Sequence, residues 1–143
     1  MTRYDKIEMA SRMFVEAHWR FDKAARDIDY VVSLLLSSAV CGIISPLLIE
    51  QDASVCRALL ASLFKKTPPE GLFRLVHDGI THAGLETTTP LPSVDVDIDA
   101  DLPKEAAWML EAVREDLSKL VIERGVLDHM SDEFLRLIRE PVE

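Results

Sequence analysis

The sequence predicts an all-α fold, a single domain over residues 1–143 in which five or six helices surround a buried central helix at about residues 29–45. Residues 30–49 form a twenty-residue run without a charged side chain. The segments on either side carry apolar residues every three or four positions, which is the spacing of one helical stripe. With 143 residues, 48% of them hydrophobic, the chain is long enough to bury a core.

The first helix is predicted over residues 4–28. Its other side carries charged residues, so we expect it to pack on one neighbour through a single apolar stripe. That stripe consists of Ile7, Ala10, Phe14, Ala17, Phe21, Ala24 and Ile28.

The central helix begins near Asp27 or Asp29, either of which can cap it through its carboxylate. It ends or kinks at Pro46, which cannot donate a backbone hydrogen bond. Its large aliphatic residues point in all directions, which favours a helix surrounded by its own chain. Its small residues should let other helices approach closely; these are Ser33, Ser37, Ser38 and Gly42.

The same run is just long enough to span a membrane. Its immediate flanks are acidic, with Asp27 and Asp29 before it and Glu50 and Asp52 after it. It also has no Trp at either edge, where interfacial aromatic residues are usual. We therefore expect a central core helix and no membrane partner, with membrane association as the less favoured alternative.

Three further helices follow from local signals. Asp52 is expected to cap a helix over residues 53–66. Residues 67–70, Thr-Pro-Pro-Glu, have capping-box spacing and begin a helix that stops near Gly84. A strong amphipathic helix is predicted over residues 103–123.

The chain between Gly84 and that amphipathic helix, residues 85–103, reads as a long loop. Its alternating Val and Asp residues leave a short edge strand open. Gly125 should close the amphipathic helix, and Ser131 should cap a last one that runs to Arg139.

No metal or cofactor is predicted. The aspartates of the long loop suggest calcium, but an EF-hand loop starting at Asp95 needs Gly and Glu where this chain has Ala100 and Ala106. Cys41 and Cys56 lie in apolar surroundings without a CxxC motif. We therefore expect buried free thiols in a cytoplasmic protein, since the N-terminus lacks a secretory signal. The net charge of −9 disfavours binding to RNA phosphates.

The side chains that could take part in catalysis are most concentrated in the segment HDGITHAG, His77 to Gly84. Arg74, Asp78 and His82 are spaced four apart, so they share a helix face. The structural interpretation of this strip is an ion pair followed by a histidine at a helix end, where the helix dipole favours it.

In its helical arrangement and in this segment, the chain resembles the HEPN superfamily of small all-α domains. Asp78, Ile80 and His82 match the polar, apolar and His places of that family's RNxxxHG-like motif, and His77 stands where the family has Arg. The resemblance implies a dimer that cleaves RNA without metal, with His82 as general acid or base and Asp78 as its polar partner. His77 could stabilise a phosphate only when protonated.

These observations favour a non-enzymatic interaction or regulatory module that forms a homodimer and can bind a protein partner. The alternative is a metal-independent HEPN-like endoribonuclease or RNA-binding protein using His77, Asp78 and His82. In either case His82 is expected near a two-fold interface. Trp19 and Trp108 could anchor such an interface, although helix packing explains them more simply.

Overall fold

A computed structural model describes residues 1–64, 100–126, 128 and 130–142, with the side chains of residues 60–64 left aside. The predicted fourth helix and most of the loop at 85–103, including its edge strand, lie outside the described residues. Five α-helices are described, namely α1 (Lys6–Asp22), α2 (Asp27–Ile44), α3 (Val55–Phe64), α4 (Leu102–Arg124) and α5 (Asp132–Arg139). Two short 3-10 turns, Ser45–Leu47 and Gln51–Ala53, join α2 to α3.

The described helices form one bundle, and the all-α prediction is confirmed. α1 and α2 make an antiparallel hairpin, and α4 packs on both of its helices. α3 packs on α4, and α5 crosses α1 and α4. Phe14 of α1 meets Phe134 of α5 edge to face, with ring centroids 6.2 Å apart. The core lies between α1, α2, α4 and α5.

The first helix is shorter than predicted, because the chain turns at residues 23–26. The Asp29 carboxylate accepts hydrogen bonds from the backbone N–H groups of Ala25 and Arg26, each at 3.1 Å. These bonds stabilise the turn and the start of α2. The predicted cap, Asp27 or Asp29, is wrong, because Arg26 holds the cap position and Asp29, the third residue of the helix, accepts from the backbone that precedes it. Ile28, assigned to the first stripe, instead belongs to α2 and is half-exposed.

The buried face of α2 is rich in serine. Ser33 donates its hydroxyl to the Ala17 carbonyl of α1 at 2.8 Å, which ties the hairpin together. Ser37 and Ser38 donate to carbonyls one turn back, those of Ser33 and Leu34. Each buried hydroxyl therefore has an acceptor, and its small volume lets α1 and α4 approach. The predicted role of these serines in close packing is confirmed. The same prediction for Gly42 is wrong within the described chain, because Gly42 is exposed and a Cβ atom there would meet nothing within 4 Å.

The start of α3 is fixed by Asp116 of α4. This fully buried carboxylate accepts from the Ser54 hydroxyl at 2.6 Å, from the Val55 N–H at 2.7 Å and from the Cys56 N–H at 3.1 Å. Ser54 in turn accepts from the N–H of Arg57 and acts as the local cap. The predicted cap, Asp52, is wrong, because that residue lies in the preceding 3-10 turn.

Cys41 and Cys56 form a disulfide that joins α2 to the first turn of α3, so the expectation of two free thiols is wrong. Both cysteines are buried, and their Cα atoms are 6.1 Å apart, within the range that a disulfide requires. The two 3-10 turns between α2 and α3 bring these cysteines together, and a spacing of 15 residues gives no sign of that proximity.

α4 follows its prediction closely. Its predicted stripe is fully buried, and Gly125 closes it in the left-handed conformation at φ 63°. That conformation suits glycine, which has no Cβ to clash. α5 begins as predicted at Ser131, whose hydroxyl accepts the Phe134 N–H at 3.1 Å. The buried stripe of α4 is Ala106, Met109, Leu110, Val113, Leu117, Leu120 and Val121.

An ion pair between Glu111 and Arg114 holds the chain that follows α5. Arg114 donates to the Ile138 carbonyl at 2.8 Å, and Glu111 accepts from the Val142 N–H at 2.7 Å. Burial alone would raise the pKa of Glu111, but the hydrogen bonds from Arg114 and Val142 outweigh it and lower that pKa. The pair therefore stays charged and seats the C-terminal segment on α4.

Replacing Asp116 should strongly destabilise the fold. An Asp116→Asn variant presents an amide N–H₂ to backbone donors, which leaves at least one buried N–H group without an acceptor. We expect a loss of about 2–4 kcal/mol in the free energy of unfolding, measured by urea denaturation. Asp128→Asn, at an exposed position, serves as the control and should change little. Equal stabilities for the two variants would contradict the role of Asp116.

The contribution of Asp29 should depend on pH. The hydrogen bond from the Ala25 N–H is the largest cause that holds the pKa of Asp29 below its usual value; the Arg26 N–H and the Arg26 and Arg20 charges add to it, and burial opposes it. The stabilisation that comes from a lowered folded-state pKa is fully present above the unfolded-state pKa. It is lost as the pH falls through the folded-state pKa.

Asp29→Asn should therefore lower the melting temperature at pH 7, and the gap to wild type should shrink below about pH 4. Thermal unfolding followed by circular dichroism at several pH values measures this gap. Asp52→Asn is the control on an exposed carboxylate. A gap of constant size from pH 7 to pH 3 would contradict this assignment.

Candidate functional site

The residues predicted to carry chemistry, Arg74, His77, Asp78 and His82, lie outside the described residues. Their proximity to one another and to a two-fold interface stays a prediction. Among the residues that the structure describes, no group of three or more His, Cys, Asp or Glu side chains is placed to hold a metal ion.

An exposed apolar feature of the described residues is the outward face of α2. The inward face buries Leu34, Val40 and Ile44 together with the serines, whereas two large aliphatic residues of this helix face outward. Ile28 is 50% exposed and Leu35 is 45% exposed. Val32, between these two residues, and Ala39, one turn after Leu35, are partly exposed. Gly42 and Pro46 are exposed. The helix is central, as predicted, but it is covered on one side only.

These outward residues fall on one line along the helix. Their spacing alternates between four and three residues, which is the seven-residue repeat of a helix–helix seam. At 100° per residue, all lie within about 40° of one direction. We call this line the α2 stripe; it consists of Ile28, Val32, Leu35, Ala39, Gly42 and Pro46.

A shallow apolar cavity of about 310 Å³ lies at the C-terminal end of the α2 stripe. The stripe supplies Gly42 and Pro46 to its wall, and Tyr4 and Met9 from the start of the chain extend its apolar surface. Tyr4 is 70% exposed, so the aromatic ring adds to the uncovered area. The complete lining is Tyr4, Lys6, Met9, Gly42, Ile43, Pro46 and Leu47.

Two opposite charges mark the two ends of the α2 stripe. Lys6 lines the cavity at the C-terminal end, and Asp27 precedes Ile28 at the N-terminal end. Both side chains are exposed. Neither forms an ion pair with any residue in the described part of the chain.

The segment Asp27–Leu47 meets the length and apolarity of a membrane span, and 39% of its most apolar 18 residues are buried in the bundle. A core helix or a signal sequence can meet the same criteria. The inner face of α2 packs on α1 and α4, and its serine hydroxyls all have backbone acceptors, that of Ser33 in α1. These contacts account for the buried side of α2, and the α2 stripe is its exposed side.

A second cavity, of about 450 Å³, lies between the end of α1 and the end of α5. In its wall, the His18 Nδ1 atom is 3.2 Å from an Asp22 carboxylate oxygen, which orients the imidazole ring. Arg136 and Glu140 contribute charges of opposite sign. The residues that line this cavity include no Ser, Thr or Cys, so the histidine has no hydroxyl or thiol nucleophile to activate there.

Both tryptophans lie at the surface. Trp19 is half-exposed beside the Arg20 guanidinium, and Trp108 is partly exposed beneath the Lys104 ammonium, 4.8 Å from its ring centroid. Neither side chain belongs to the buried core. About half of each side chain is exposed, so both interpretations of these tryptophans, helix packing and an interface anchor, stay predictions.

Sequence reasoning missed the α2 stripe, although a signal for it was present. Ile28, Val32 and Leu35 share one side of a helix, and the serines of Ser33–Ser38 fall on the other side. A helical projection therefore separates a side that contains the serines from a side that carries these three aliphatic residues.

No protein-family model, curated protein sequence or solved structure matches this chain.

Proposed function

We propose that this protein is a non-enzymatic all-α interaction module that works as a homodimer, with the α2 stripe as its interaction surface. The observation that carries the proposal is the orientation of α2. α2 turns its serines inward and leaves Ile28 and Leu35 about half exposed, so it places apolar surface in water.

Such a surface favours association. Removing apolar area from water contributes about 25 cal/mol per Å², and contiguous apolar patches on soluble proteins commonly mark interaction sites. The α2 stripe continues into the cavity beside Tyr4 and Met9, so the patch extends beyond a single helix. Exposed aliphatic residues outside the stripe, such as Ile122 of α4, are common on soluble proteins and do not by themselves call for a partner.

A protein partner fits the patch better than a lipid surface does. The borders of the patch carry Asp5 and Asp27, and Glu50 and Asp52 follow the first 3-10 turn, Ser45–Leu47. With a net charge of −9, the chain would be repelled by anionic lipid headgroups. Recovery of the protein from the soluble fraction without detergent supports this choice, and recovery only in the membrane fraction contradicts it.

The sequence motif supports a second proposal, a metal-independent ribonuclease or RNA-binding protein that uses His77, Asp78 and His82. Two histidines can in principle supply acid–base catalysis near neutral pH. The interaction module predicts equal background cleavage of single-stranded RNA by wild type and by His82→Ala. Faster cleavage by the wild-type protein would contradict the interaction-module proposal and support the ribonuclease proposal. The variants Arg74→Ala and His77→Ala would then test the rest of the motif.

The homodimer predicts a mass in solution twice the 16.1 kDa of one chain. Sedimentation equilibrium at several protein concentrations measures this mass and the dissociation constant. A monomer at every concentration up to the millimolar range would contradict the homodimer, since such weak association contributes less than about 4 kcal/mol.

A further inference from the structure

We infer that two copies meet in antiparallel fashion along the α2 stripe, about a two-fold axis at the level of Ser37. The inference rests on the proposed homodimer and assigns its interface. A two-fold interface brings the same patch of both subunits together, so that patch must be complementary to itself. The α2 stripe meets this condition in side-chain size, in shape and in charge.

Side-chain size is complementary along the α2 stripe. Its N-terminal half carries the larger aliphatic residues Ile28, Val32 and Leu35, and its C-terminal half carries Ala39, Gly42 and Pro46. A two-fold axis level with Ser37 places each larger residue against a smaller one. The resulting pairs are Leu35 with Ala39, Val32 with Gly42, and Ile28 with Pro46.

The shape of the surface agrees with this arrangement. Ile28 projects at one end of the α2 stripe, and the cavity lined by Gly42 and Pro46 lies at the other end. These ends are separated by 18 residues, about 27 Å of helix. In the antiparallel dimer the Ile28 side chain of each subunit enters the cavity of the other. Both cavities in the interface are then filled, and both projecting Ile28 side chains are accommodated.

Gly42 supplies an independent argument. Glycine inside a helix costs about 1 kcal/mol relative to alanine. A Cβ atom at Gly42 would meet nothing within 4 Å, so packing within the described chain does not require glycine there. The backbone conformation does not require it either, since Gly42 lies within α2 and has no positive φ. Close approach of Val32 from a second copy would explain this glycine.

The charges at the two ends agree as well. In the antiparallel arrangement, Lys6 beside the cavity of one subunit faces Asp27 of the other, which directly precedes the inserted Ile28. The two-fold axis forms this pair twice. Within one chain the two residues lie at opposite ends of the α1–α2 hairpin, about 24 Å apart along the helices, so they cannot pair with each other.

Exchanging these two charges tests the interface. Lys6→Glu alone and Asp27→Lys alone each place like charges together twice, and we expect each to weaken dimerisation by about tenfold at low salt. The double variant restores opposite charges and should recover most of the wild-type dissociation constant. Sedimentation equilibrium measures all four proteins, and circular dichroism confirms that each is folded.

A substitution in the centre of the α2 stripe provides a second test of the interface. Leu35→Glu buries a charge in the seam and should weaken the dimer at least about 100-fold. Ile122→Glu, which changes an exposed aliphatic residue of α4 outside the stripe, is the matched control and should leave the dissociation constant unchanged.

A wild-type dimer that is insensitive to Leu35→Glu and to the charge exchange would overturn this interface while leaving the homodimer in place. A wild-type monomer would overturn both. Single charge variants that weaken the dimer without recovery in the double variant would overturn the antiparallel pairing.

Discussion

The hydrogen bond from the Ser33 hydroxyl to the Ala17 carbonyl shows the constraint on which this structure depends. α1 and α4 pack against a face of α2 that combines serines with large aliphatic residues, and the buried hydroxyls there must all find acceptors. Ser33, Ser37 and Ser38 satisfy this requirement with backbone carbonyls at 2.7–2.8 Å. Leu34, Val40 and Ile44 are buried beside these serines, whereas Ile28 and Leu35 on the other side of the helix are about half exposed. The interior packing of the bundle thus determines its exposed apolar face.

The remaining described contacts hold the frame around α2. Asp116 joins α4 to the start of α3, and the Cys41–Cys56 disulfide joins α3 to α2. Asp29 stabilises the turn between α1 and α2, and Glu111 with Arg114 seats the C-terminal segment. Buried or half-buried carboxylates thus accept backbone N–H groups at three joints of the bundle. These joints fix the position of α2 in the bundle, which in the proposed homodimer would lower the entropic cost of association.

Local features of the sequence were predictable, and contacts between distant segments were not. The α4 stripe, the Gly125 end and the Ser131 cap each depend on residues within a few positions, and the structure confirms them. The Asp116 cap spans about 60 residues, and the disulfide depends on a Cα distance that only the folded chain sets.

The outward face of α2 lies between these two cases, since its residues are close in sequence but their orientation depends on distant helices. A charge-free run looks alike whether its large residues face the core or the surface, and hydropathy alone would turn Leu35 inward and Ser33 outward, the reverse of what the structure shows. The direction of each residue became clear only when α1 and α4 were placed. The predicted site at His77, Asp78 and His82 has no described contacts and stays a prediction of the sequence.

Zero-length cross-linking tests the central claim most directly. A carbodiimide joins an amine to a carboxylate only when the two groups are in contact, and Lys6 cannot reach Asp27 within one chain. In an equal mixture of ¹⁴N-labelled and ¹⁵N-labelled protein, mass spectrometry should detect a Lys6–Asp27 cross-linked peptide with mixed isotopes. Dimers whose intermolecular cross-links all join other residues, with Lys6 and Asp27 unmodified, would contradict the antiparallel α2 interface.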